Sequence, residues 1–401
     1  MGAGPAGAAT AWALARSGID VLLLDRARFP RDKVCAEYLS PQASRILSEM
    51  GALSEIEARG AAQLSGMLVR SPGGAEIRGE FVAAHGFRGF RDRGLAVRRP
   101  VLDTILLDRA RAAGARVHEG VRVLDVVRTG ARVTGVRAIA GGTREPRDIT
   151  ARLVVGADGL QSVIARRLGL ARTARWPRRM AVVAHYRGVA GIGPAGEMHV
   201  DAHGYIGLAD VGSGLTNVAV VVPAQSARRG VRDGFIEAWI AARPHLAERF
   251  RDAERVAPAR VTGPFARYAT RAWAGGAALV GDAADFFDPF TGEGIYAALR
   301  GAELLAPYVY DALRGTTPTT GRREDVALAA YDRCRRHEFR GKWAVERLVA
   351  AAVACPPLMD RVARALVRRP DMAHLFVGVV GDFVPPRQVL RPSFLLRLVA
   401  G

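Results

Sequence analysis

Gly2-Ala3-Gly4-Pro5-Ala6-Gly7 decides which fold the sequence predicts. The stretch matches Gly-x-Gly-x-x-Gly, in which the glycines allow a tight turn and a close approach of the backbone to a pyrophosphate at the start of a helix. The pattern alone is weak, because a chain with 45 glycines produces such matches by chance. Its surroundings strengthen it: residues 5–17 have helical character, Gly18 ends that helix, and residues 21–24 are an apolar run typical of a buried parallel strand. The beginning of the chain therefore predicts a dinucleotide-binding unit.

Two charged residues, Asp25 and Arg26, follow this strand directly. A carboxylate at the end of such a strand can accept hydrogen bonds from both ribose hydroxyls of an adenosine. We therefore place Asp25 and Arg26 among the predicted cofactor-binding residues, together with Val123 in a strand predicted over residues 121–127.

Two more glycine motifs occur later in the chain. The first is Val154-Val155-Gly156-Ala157-Asp158-Gly159, an apolar strand that runs into a turn with one acid. An ordinary turn with Asp158 as a helix cap stays open as an alternative. The second contains Gly281 and Asp282, at the end of an apolar run where a side chain can reach a polyol, and continues through Pro289-Phe290-Thr291-Gly292-Glu293-Gly294. Residues 292–294 open a helix whose backbone N–H groups suit the edge of a flavin that becomes anionic on reduction.

Between the motifs the sequence changes character. Residues 180–186, 197–200 and 217–222 alternate or carry β-branched runs, which predicts an antiparallel sheet. Further strands are predicted at residues 116–118, 131–139, 153–155 and 279–280. Helices are predicted at residues 40–51, 101–113, 233–250 and 295–313, and again beyond residue 326, with breaks at the prolines of positions 356, 357, 370, 385 and 386. The arginine-rich residues 314–325 are predicted to be a linker.

The three motifs, in this order, resemble the glutathione-reductase-type flavoproteins. Within them the chain is most similar to the group of p-hydroxybenzoate hydroxylase, geranylgeranyl reductase and the tryptophan halogenases, and residues 29–37 and 289–294 resemble the geranylgeranyl reductase branch. The resemblance covers about residues 1–310. It implies an α/β protein in which an FAD-binding Rossmann-like domain carries an inserted antiparallel-sheet substrate domain and a C-terminal helical extension. The predicted domains are residues 1–70, 95–170 and 265–325 for FAD, residues 71–94 and 171–264 for the substrate, and residues 326–401 for the helical region.

The resemblance also implies how the cofactor is held. Asp25 would bind the adenosine ribose, Asp282 the ribityl chain or pyrophosphate, and Arg99 matches the arginine of the family that contacts FAD. Asp158 would lie near both FAD and NAD(P)H. The chain has no second dinucleotide motif, so NAD(P)H would bind only transiently as the electron donor. The predicted cofactor-binding residues are Gly2, Gly4, Pro5, Ala6, Gly7, Asp25, Arg26, Arg99, Val123, Asp158, Gly281, Asp282, Pro289, Gly292, Glu293 and Gly294.

Three departures from the family bear on the reaction. The reductases carry Tyr-x-Trp-x-Phe-Pro over the substrate, whereas residues 205–210 here are Tyr-Ile-Gly-Leu-Ala-Asp. The halogenase motif Trp-x-Trp-x-Ile-Pro is absent, and Ala36 replaces the glycine expected after Cys35. We therefore expect an NAD(P)H-dependent monooxygenase that hydroxylates an aromatic or lipid-like small molecule. The alternatives are a C=C reductase of the geranylgeranyl reductase type and a non-catalytic flavin-binding or membrane-surface protein. The helix start at residues 292–294 argues against the non-catalytic alternative.

Weak candidates for catalysis are Cys35, Tyr205 and His185. Cys35 lies in the loop that approaches the flavin in relatives, although a plain buried thiol explains it as well. For the histidines and Tyr205 of the predicted sheet, a structural role is the favoured interpretation. Glu37 is interpreted as a solvated loop acid. No metal site is expected, since the three cysteines are scattered along the chain.

The formal net charge is +19, and only Lys33 and Lys342 among the 58 basic residues are lysines. The arginines are spread along the whole chain without a recognition motif, which argues against a nucleic-acid partner. No apolar run is long enough to span a membrane, and no signal peptide is visible, so we expect a cytoplasmic protein. A peripheral membrane contact through residues 390–398 stays open, as do the substrate, the choice between NADH and NADPH, and the oligomeric state.

Only Met1 precedes the first glycine motif. In this fold an apolar strand leads into that motif at the centre of a parallel sheet. We therefore expect an upstream extension of about 5–15 residues that ends in a Val/Ile-rich run, sized to a typical strand.

Overall fold

The computed structural model of the protein describes residues 1–143, 145–226, 234–314 and 322–399. Its helices are α1 (Pro5–Arg16), α2 (Ala43–Glu49), α3 (Leu53–Ala58), α4 (Arg99–Ala112), α5 (Val163–Arg167), α6 (Phe235–Ala241), α7 (Pro244–Ala247), α8 (Gly294–Leu313), α9 (Arg322–Ala354), α10 (Pro356–Val367), α11 (Pro370–Val380) and α12 (Pro392–Val399).

The strands up to the second glycine motif are β1 (Leu22–Asp25), β2 (Tyr38–Leu39), β3 (Ala62–Leu64), β4 (Gly66–Arg70), β5 (Glu76–Glu80), β6 (Gly94–Ala96), β7 (Arg116–Glu119), β8 (Val121–Thr129), β9 (Arg132–Ala140), β10 (Arg147–Thr150) and β11 (Val154–Gly156). Those that follow are β12 (Ala171–Thr173), β13 (Arg179–Arg187), β14 (Ala195–Asp201), β15 (Gly204–Asp210), β16 (Leu215–Pro223), β17 (Glu254–Arg255), β18 (Arg260–Thr262), β19 (Arg267–Ala269), β20 (Trp273–Ala274), β21 (Ala277–Leu279) and β22 (Asp285–Phe286).

The glycine motifs lie where the predicted α/β domain requires them. The first leads into α1, the second follows β11, and the third follows β21. The predicted parallel pairing is present, since β1 pairs with β7 and β11 pairs with β21, both in parallel. Helices α1 and α8 cover these strands. The helix predicted from residue 40 begins at Ala43, whose N–H donates to the Ser40 hydroxyl oxygen at 3.2 Å.

Strands β1 and β11 flank the first two residues of the chain. The Met1 amino group donates to the Val155 carbonyl at 2.8 Å, and the Ala157 N–H donates to the Met1 carbonyl at 2.8 Å. On the other side, the Gly2 N–H donates to the Leu24 carbonyl at 2.8 Å. A groove lined by residues of both strands, such as Leu24 and Val155, and also by charged residues such as Asp20 and Arg152, lies next to these contacts. The expectation of an upstream strand stays a prediction.

The predicted substrate part contains an eight-stranded sheet with the order β17-β13-β16-β15-β14-β4-β5, in which β18 also pairs with β13. Its pairings are antiparallel, as predicted, except that β4 runs parallel to β14. The predicted boundary after residue 70 is therefore misplaced. Gly66–Arg70 is hydrogen-bonded within this sheet between β14 and β5, so the inserted segment begins near residue 65.

Both faces of this sheet are covered. On the outer face, Val182, Ile206 and Val220 pack against α6 and α7. The single helix predicted over residues 233–250 is wrong, because Arg243 has an extended backbone before Pro244 and separates α6 from α7. Residue 233 lies outside the described residues.

The inner face of the sheet contacts the C-terminal helices, which begin at prolines 356, 370 and 392. The first two of these prolines are predicted breaks, whereas Pro392 was not predicted to begin a helix. Met359 and Met372 of these helices pack in the same cluster as Val183 and Val221 of the sheet. Residues 322–325, predicted to end the linker, instead belong to α9. Glu324 and Asp325 suit a first helical turn, because its free N–H groups attract negative charge. Residues 315–321 lie outside the described residues.

No helix within the described residues has the length and apolar character that crossing a membrane requires. Likewise, no group of metal-binding side chains occurs in the parts of the chain that the structure describes.

Candidate functional site

A cleft of about 1160 Å³, including its open mouth, lies between the α/β part and the inner face of the eight-stranded sheet. One end is formed by the first glycine motif and Arg99. The middle is formed by residues 33–36 and by residues 289–294, which we call the 289–294 turn. The other end is formed by the apolar side chains of the sheet. The cleft therefore joins residues of all three glycine motifs to the predicted substrate domain.

The glycines of the first motif have different roles. Gly2 has φ +88°, and a Cβ on it would lie 2.4 Å from the Ala157 carbonyl oxygen. A Cβ on Gly7 would lie 1.7 Å from the Gly2 carbonyl oxygen, so both positions exclude a side chain for reasons of backbone packing. Gly4 is different, because its φ is −73° and the nearest atoms to its Cβ would be two guanidinium nitrogens, at 3.6 Å and 3.8 Å. Gly4 thus faces open space in the cleft.

Those two guanidinium groups belong to Arg31 and Arg99, and the fully buried Asp103 holds both. Arg99 donates to Asp103 through two hydrogen bonds of 2.8 Å and 2.7 Å, and the Nη1 atom of Arg31 lies 3.0 Å from the same carboxylate. Burial opposes the charge of Arg99, but Asp103 and Cys35 outweigh that effect and raise its pKa. Two fixed cations next to the start of α1 make this end of the cleft suitable for a pyrophosphate.

The two carboxylates predicted to bind cofactor near this end contact the backbone. Asp25 accepts hydrogen bonds from the N–H groups of Ala3 and Ala27 at 2.7 Å and 2.8 Å, so it holds the glycine loop to the end of β1. Each oxygen keeps a lone pair that a ribose hydroxyl could use. Asp158 accepts from the Ser162 hydroxyl and the Val163 N–H, both at 2.6 Å, and therefore caps α5. This contact agrees with the alternative interpretation of Asp158 as a helix cap.

Eight of the sixteen predicted cofactor-binding residues do not line the cleft: Gly2, Gly7, Asp25, Arg26, Val123, Asp158, Gly281 and Glu293. Arg26 is exposed at the end of β1, and Val123 is buried in the core beneath α5 and β11. Asp282 does line the cleft, where Lys33 lies 3.9 Å from its carboxylate. Gly281 has φ +62°, and a Cβ there would lie 2.8 Å from the Cβ of Ala6, so this glycine allows the third motif to pack on α1.

The 289–294 turn presents backbone to the cleft. Gly292 has φ +72°, and a Cβ on it would lie 2.8 Å from the Tyr38 ring. Gly294 and Ile295 begin α8 and line the cleft, so the N–H groups of the first helical turn lie at its edge. Glu293 is a correction: its side chain lies on the other side of the turn, outside the cleft, 3.7 Å from Lys342. Only its backbone can contact a cofactor in the cleft.

The loop of Cys35 is held from below by a buried polar network. Glu37, at φ +62°, lies 2.7 Å from His185 Nε2 and accepts hydrogen bonds from the Asn217 amide at 3.0 Å and the Arg99 N–H at 2.9 Å. Glu37 is 1% exposed, so its interpretation as a solvated acid is wrong. His185 does not line the cleft, because this network holds it beneath the loop. No pattern in the sequence indicated the network, since its members are far apart along the chain.

Of the three weak catalytic candidates, Cys35 and Tyr205 line the cleft. The Tyr205 hydroxyl donates to Asp288 at 2.7 Å, and burial next to that carboxylate raises the pKa of Tyr205 well above its usual value. Tyr205 therefore stays protonated and presents its ring rather than its hydroxyl. Cys35 accepts a hydrogen bond from the Glu37 N–H at 3.3 Å and lies beside the Arg99 guanidinium, with its thiol at the cleft.

The sheet side of the cleft is apolar. Within the described chain, the sheet residues that line it are uncharged: Ala181, Val183, Met198, Tyr205, Gly207, Ala219, Val221 and Thr262. Phe265 and Phe286 add two aromatic rings. A ligand on this side would be recognised by shape and apolar contact rather than by charge.

Comparison with known proteins agrees with this geometry. Residues 1–339 match the family model described as an FAD binding domain. A menaquinone reductase of Mycolicibacterium smegmatis is 30% identical over 96% of this chain and 91% of its own length. A digeranylgeranylglycerophospholipid reductase of Methanopyrus kandleri is 30% identical over 75% of this chain and 73% of its own. The crystal structure of a flavoprotein/dehydrogenase from Cytophaga hutchinsonii superposes with a TM-score of 0.80 at 22% identity, over 99% of this chain and 95% of that one, which supports the fold.

The glycine loop, the paired arginines above it and the backbone-lined turn all fit FAD, and the family match extends over the same residues. The chain belongs to the FAD-binding-domain family, among the FAD-dependent oxidoreductases of the geranylgeranyl reductase and p-hydroxybenzoate hydroxylase-like superfamily.

Proposed function

We propose that the protein uses FAD to reduce a C=C bond in an apolar, lipid-like molecule, with NAD(P)H as the electron donor. In this proposal the pyrophosphate of FAD lies at Gly4 between Arg31 and Arg99, and the flavin ring lies at the 289–294 turn. FAD supplies the two-electron chemistry. The residues of this chain hold the cofactor, orient the substrate and exclude water from the apolar end of the cleft.

The observation that carries the substrate class is the difference between the two ends of the cleft. The cations lie at the glycine-loop end, where the anionic part of FAD would use them. The sheet end has no charged side chain within the described residues and is lined by small or apolar residues such as Ala181, Gly207 and Ala219. A charged substrate would lose its hydration there without gaining a hydrogen bond or ion pair in return, whereas an isoprenoid chain has no polar group whose hydration is lost.

Reduction is favoured over hydroxylation by the relatives and by one side chain. The two relatives described above are named menaquinone reductase and digeranylgeranylglycerophospholipid reductase 2. Saturation of a C=C bond adds a hydride equivalent to one carbon and a proton to the other. The Cys35 thiol lines the cleft beside the Arg99 guanidinium and is suited to donate that proton.

Hydroxylation, the reaction that the sequence favoured, is the second candidate. It is supported by residues 205–210, which lack the Trp and Phe-Pro of the reductase motif. In that reaction one oxygen atom of O₂ enters the product and the other leaves as water, while NAD(P)H and a proton are consumed. It requires no proton donor beside the substrate.

One experiment separates the two reactions. FAD-loaded protein is incubated with NADH or NADPH and either a prenylated naphthoquinone or a long-chain alkylphenol in detergent micelles, with ¹⁸O₂ and without oxygen, and the products are identified by mass spectrometry. Reduction predicts a product heavier by two hydrogens that also forms anaerobically. Hydroxylation predicts one ¹⁸O atom per product and no anaerobic reaction.

Cys35→Ser and Cys35→Ala serve as matched variants in that assay. Both should retain FAD, while turnover should fall about tenfold or more in the alanine variant if the thiol donates the proton, a typical size for general acid catalysis. Unchanged turnover in both variants would remove Cys35 from the mechanism. If the FAD-loaded protein modifies neither class of lipid under any condition, the proposed substrate class is wrong.

A further inference from the structure

A second cavity, which we call the rear cavity, lies behind the 289–294 turn. It has about 610 Å³ of space and shares only Asp282, Phe286 and Gly294 with the cleft. The residues of the turn alternate between the two spaces: Pro289 and Gly292 line the cleft, whereas Thr291 and Glu293 line the rear cavity. The far wall of the rear cavity is one face of α9, formed by Arg335, Phe339, Lys342, Trp343 and Glu346.

Lys342 is the cation nearest to the turn. Its ammonium nitrogen lies 3.7 Å from the Glu293 carboxylate, 4.5 Å from the centre of the Tyr296 ring, and in direct contact with the fully buried Asp382. Its side chain is 13% exposed, so hydration by water can replace these contacts only to a small extent. Lys342 therefore connects the turn to the segment that follows α11.

The charges around Lys342 do not balance. Two other carboxylates of the rear cavity have their own arginines, since Asp285 contacts Arg335 and Asp288 lies 2.9 Å from Arg179. Glu346 has no hydrogen bond or ion pair to any described residue, although it lines the cavity. One ammonium group thus lies among the carboxyl groups of Glu293, Glu346 and Asp382.

Burial acts on the protonation of these groups in the expected directions. It raises the pKa of Glu293 and of Glu346 and lowers the pKa of Lys342, while the charge of Lys342 opposes the shift of both acids. Titratable or charged groups face this cluster from each neighbouring element: Tyr38 on β2, Asp285 on β22, Asp288 before the turn, Tyr296 on α8, Arg335 and Glu338 on α9, and Asp382 after α11. Without Lys342, acidic side chains would remain in direct contact with the turn and no cation would offset them.

Neither partner on the far side of the turn belongs to the matched family domain. That match ends at residue 339, whereas Lys342 and Asp382 follow it. The C-terminal extension therefore adds this contact to a cofactor site that the first part of the chain builds.

We propose that Lys342 is a positioning residue for the cofactor: it fixes the rear side of the 289–294 turn and sets how readily the bound FAD is reduced. The proposal rests on the placement of the flavin ring at this turn, but on neither substrate reaction. A cation behind the turn offsets part of the negative charge of the carboxylates there, so a flavin that gains negative charge on reduction meets a less negative wall. Without the cation, the same wall repels that charge.

The test is the midpoint potential of bound FAD, measured against a reference dye from about pH 5.5 to about pH 8.5, because burial raises the pKa of Glu293 and of Glu346 above that of an exposed carboxyl group. Lys342→Met should lower the equilibrium constant for reduction of FAD about tenfold at the upper end of this range and less than about threefold at the lower end, because protonated carboxyl groups no longer repel the reduced flavin. The double variant Lys342→Met/Glu293→Gln removes one charge of each sign and should recover most of the native constant.

Arg300→Met is the matched control. Arg300 also joins α8 to α9, because it donates to Glu338 at 2.8 Å, and it donates to Glu303 of its own helix at 2.5 Å, but it does not line the rear cavity. Its loss should destabilise the protein without a change of potential. Equal potentials for Lys342→Met and native protein, or equal shifts for Lys342→Met and Arg300→Met, would overturn the proposal. The proposal would also be overturned if Lys342→Met does not retain FAD and the double variant does not restore FAD binding. Absence of FAD from native protein would instead refute the placement of the cofactor.

Discussion

The two sides of the 289–294 turn differ in nearly every respect. The front side, in the cleft, faces apolar sheet residues such as Val183 and Ala219. The rear side faces Lys342 and a group of carboxylates. A backbone turn thus separates a space suited to an apolar substrate from one that holds fixed charge. This difference between the two sides shows that different residues can exclude water from the substrate space and control the charge near the cofactor.

The two sides are also built by different means. The front wall consists of strands, in which every second side chain faces the cleft, so Ala181 and Val183 of β13 lie beside Ala219 and Val221 of β16. The rear wall is a single helix face from α9. A strand wall accepts small residues without loss of backbone pairing, which leaves room for a substrate. A helix face places long charged side chains in a row.

Gly4→Val should produce the largest effect, on the front side alone. The φ of Gly4 suits valine, and no atom lies within 3.4 Å of the Cβ position, so the fold should remain. The added side chain would occupy the space between Arg31 and Arg99, and we expect FAD affinity to fall about 100-fold or more, which corresponds to about 3 kcal/mol. The ratio of flavin absorbance to protein, together with circular dichroism, measures both properties.

Gly7→Ala is the contrasting variant. Its Cβ would lie 1.7 Å from the Gly2 carbonyl oxygen, so here the fold itself should be damaged along with FAD binding. A yellow, FAD-saturated Gly4→Val protein would show that the pyrophosphate does not lie at this loop.

Ala219→Leu should have an intermediate effect and sharpen the comparison. The larger side chain would reduce the apolar space of the cleft while leaving the 289–294 turn and the rear cavity unchanged. We expect the KM for the lipid substrate to rise about tenfold, the size typical of lost apolar contacts, with the potential of FAD unaltered. Val261→Leu is a suitable control, because Val261 lies on the same sheet and is 41% exposed. A shifted potential with an unchanged KM would contradict the division between the two sides.

Tyr205→Phe should have the smallest effect. The variant loses the hydrogen bond to Asp288, which still accepts from Arg179 and from the Phe290 N–H, so no buried carboxylate is left without a partner. We expect a loss of about 1–2 kcal/mol in the free energy of unfolding and no change in turnover. Urea denaturation and steady-state rates provide the two readouts. A tenfold lower turnover at native stability would make Tyr205 a catalytic residue.

The front side could largely be predicted from the sequence. Its signals are local: the glycines at positions 2, 4 and 7 allow one particular turn, and Gly294 begins a helix two residues after Gly292, which lies in the left-handed region. Such patterns depend on neighbours within a few residues, so they can be interpreted without knowledge of the fold. Arg31 was missed as a partner of Arg99, although it lies in the stretch that resembles the reductases.

The rear side could not be predicted in this way. Glu293 looked like part of the cofactor motif, but its side chain lies opposite the cleft, because the turn reverses direction at Gly292. Lys342 and Asp382 come from segments that meet the turn only after α9 and α11 have packed against the sheet. The same reason applies to Glu37, His185 and Asn217. Buried polar networks depend on tertiary packing, and no spacing in the sequence marks them.

The scarcity of lysine makes the two sides separately observable. Lys33 lies at the front and Lys342 at the rear, and the chain has no other lysine. Lysine labelled with ¹³C at its ε carbon and supplied during expression would therefore place one NMR reporter in each space. The Lys33 signal would follow whatever enters the cleft, and the Lys342 signal would follow the ionisation of the acids around it. An arginine-rich composition thus leaves the protein with a natural pair of spectroscopic labels, one on each side of its cofactor turn.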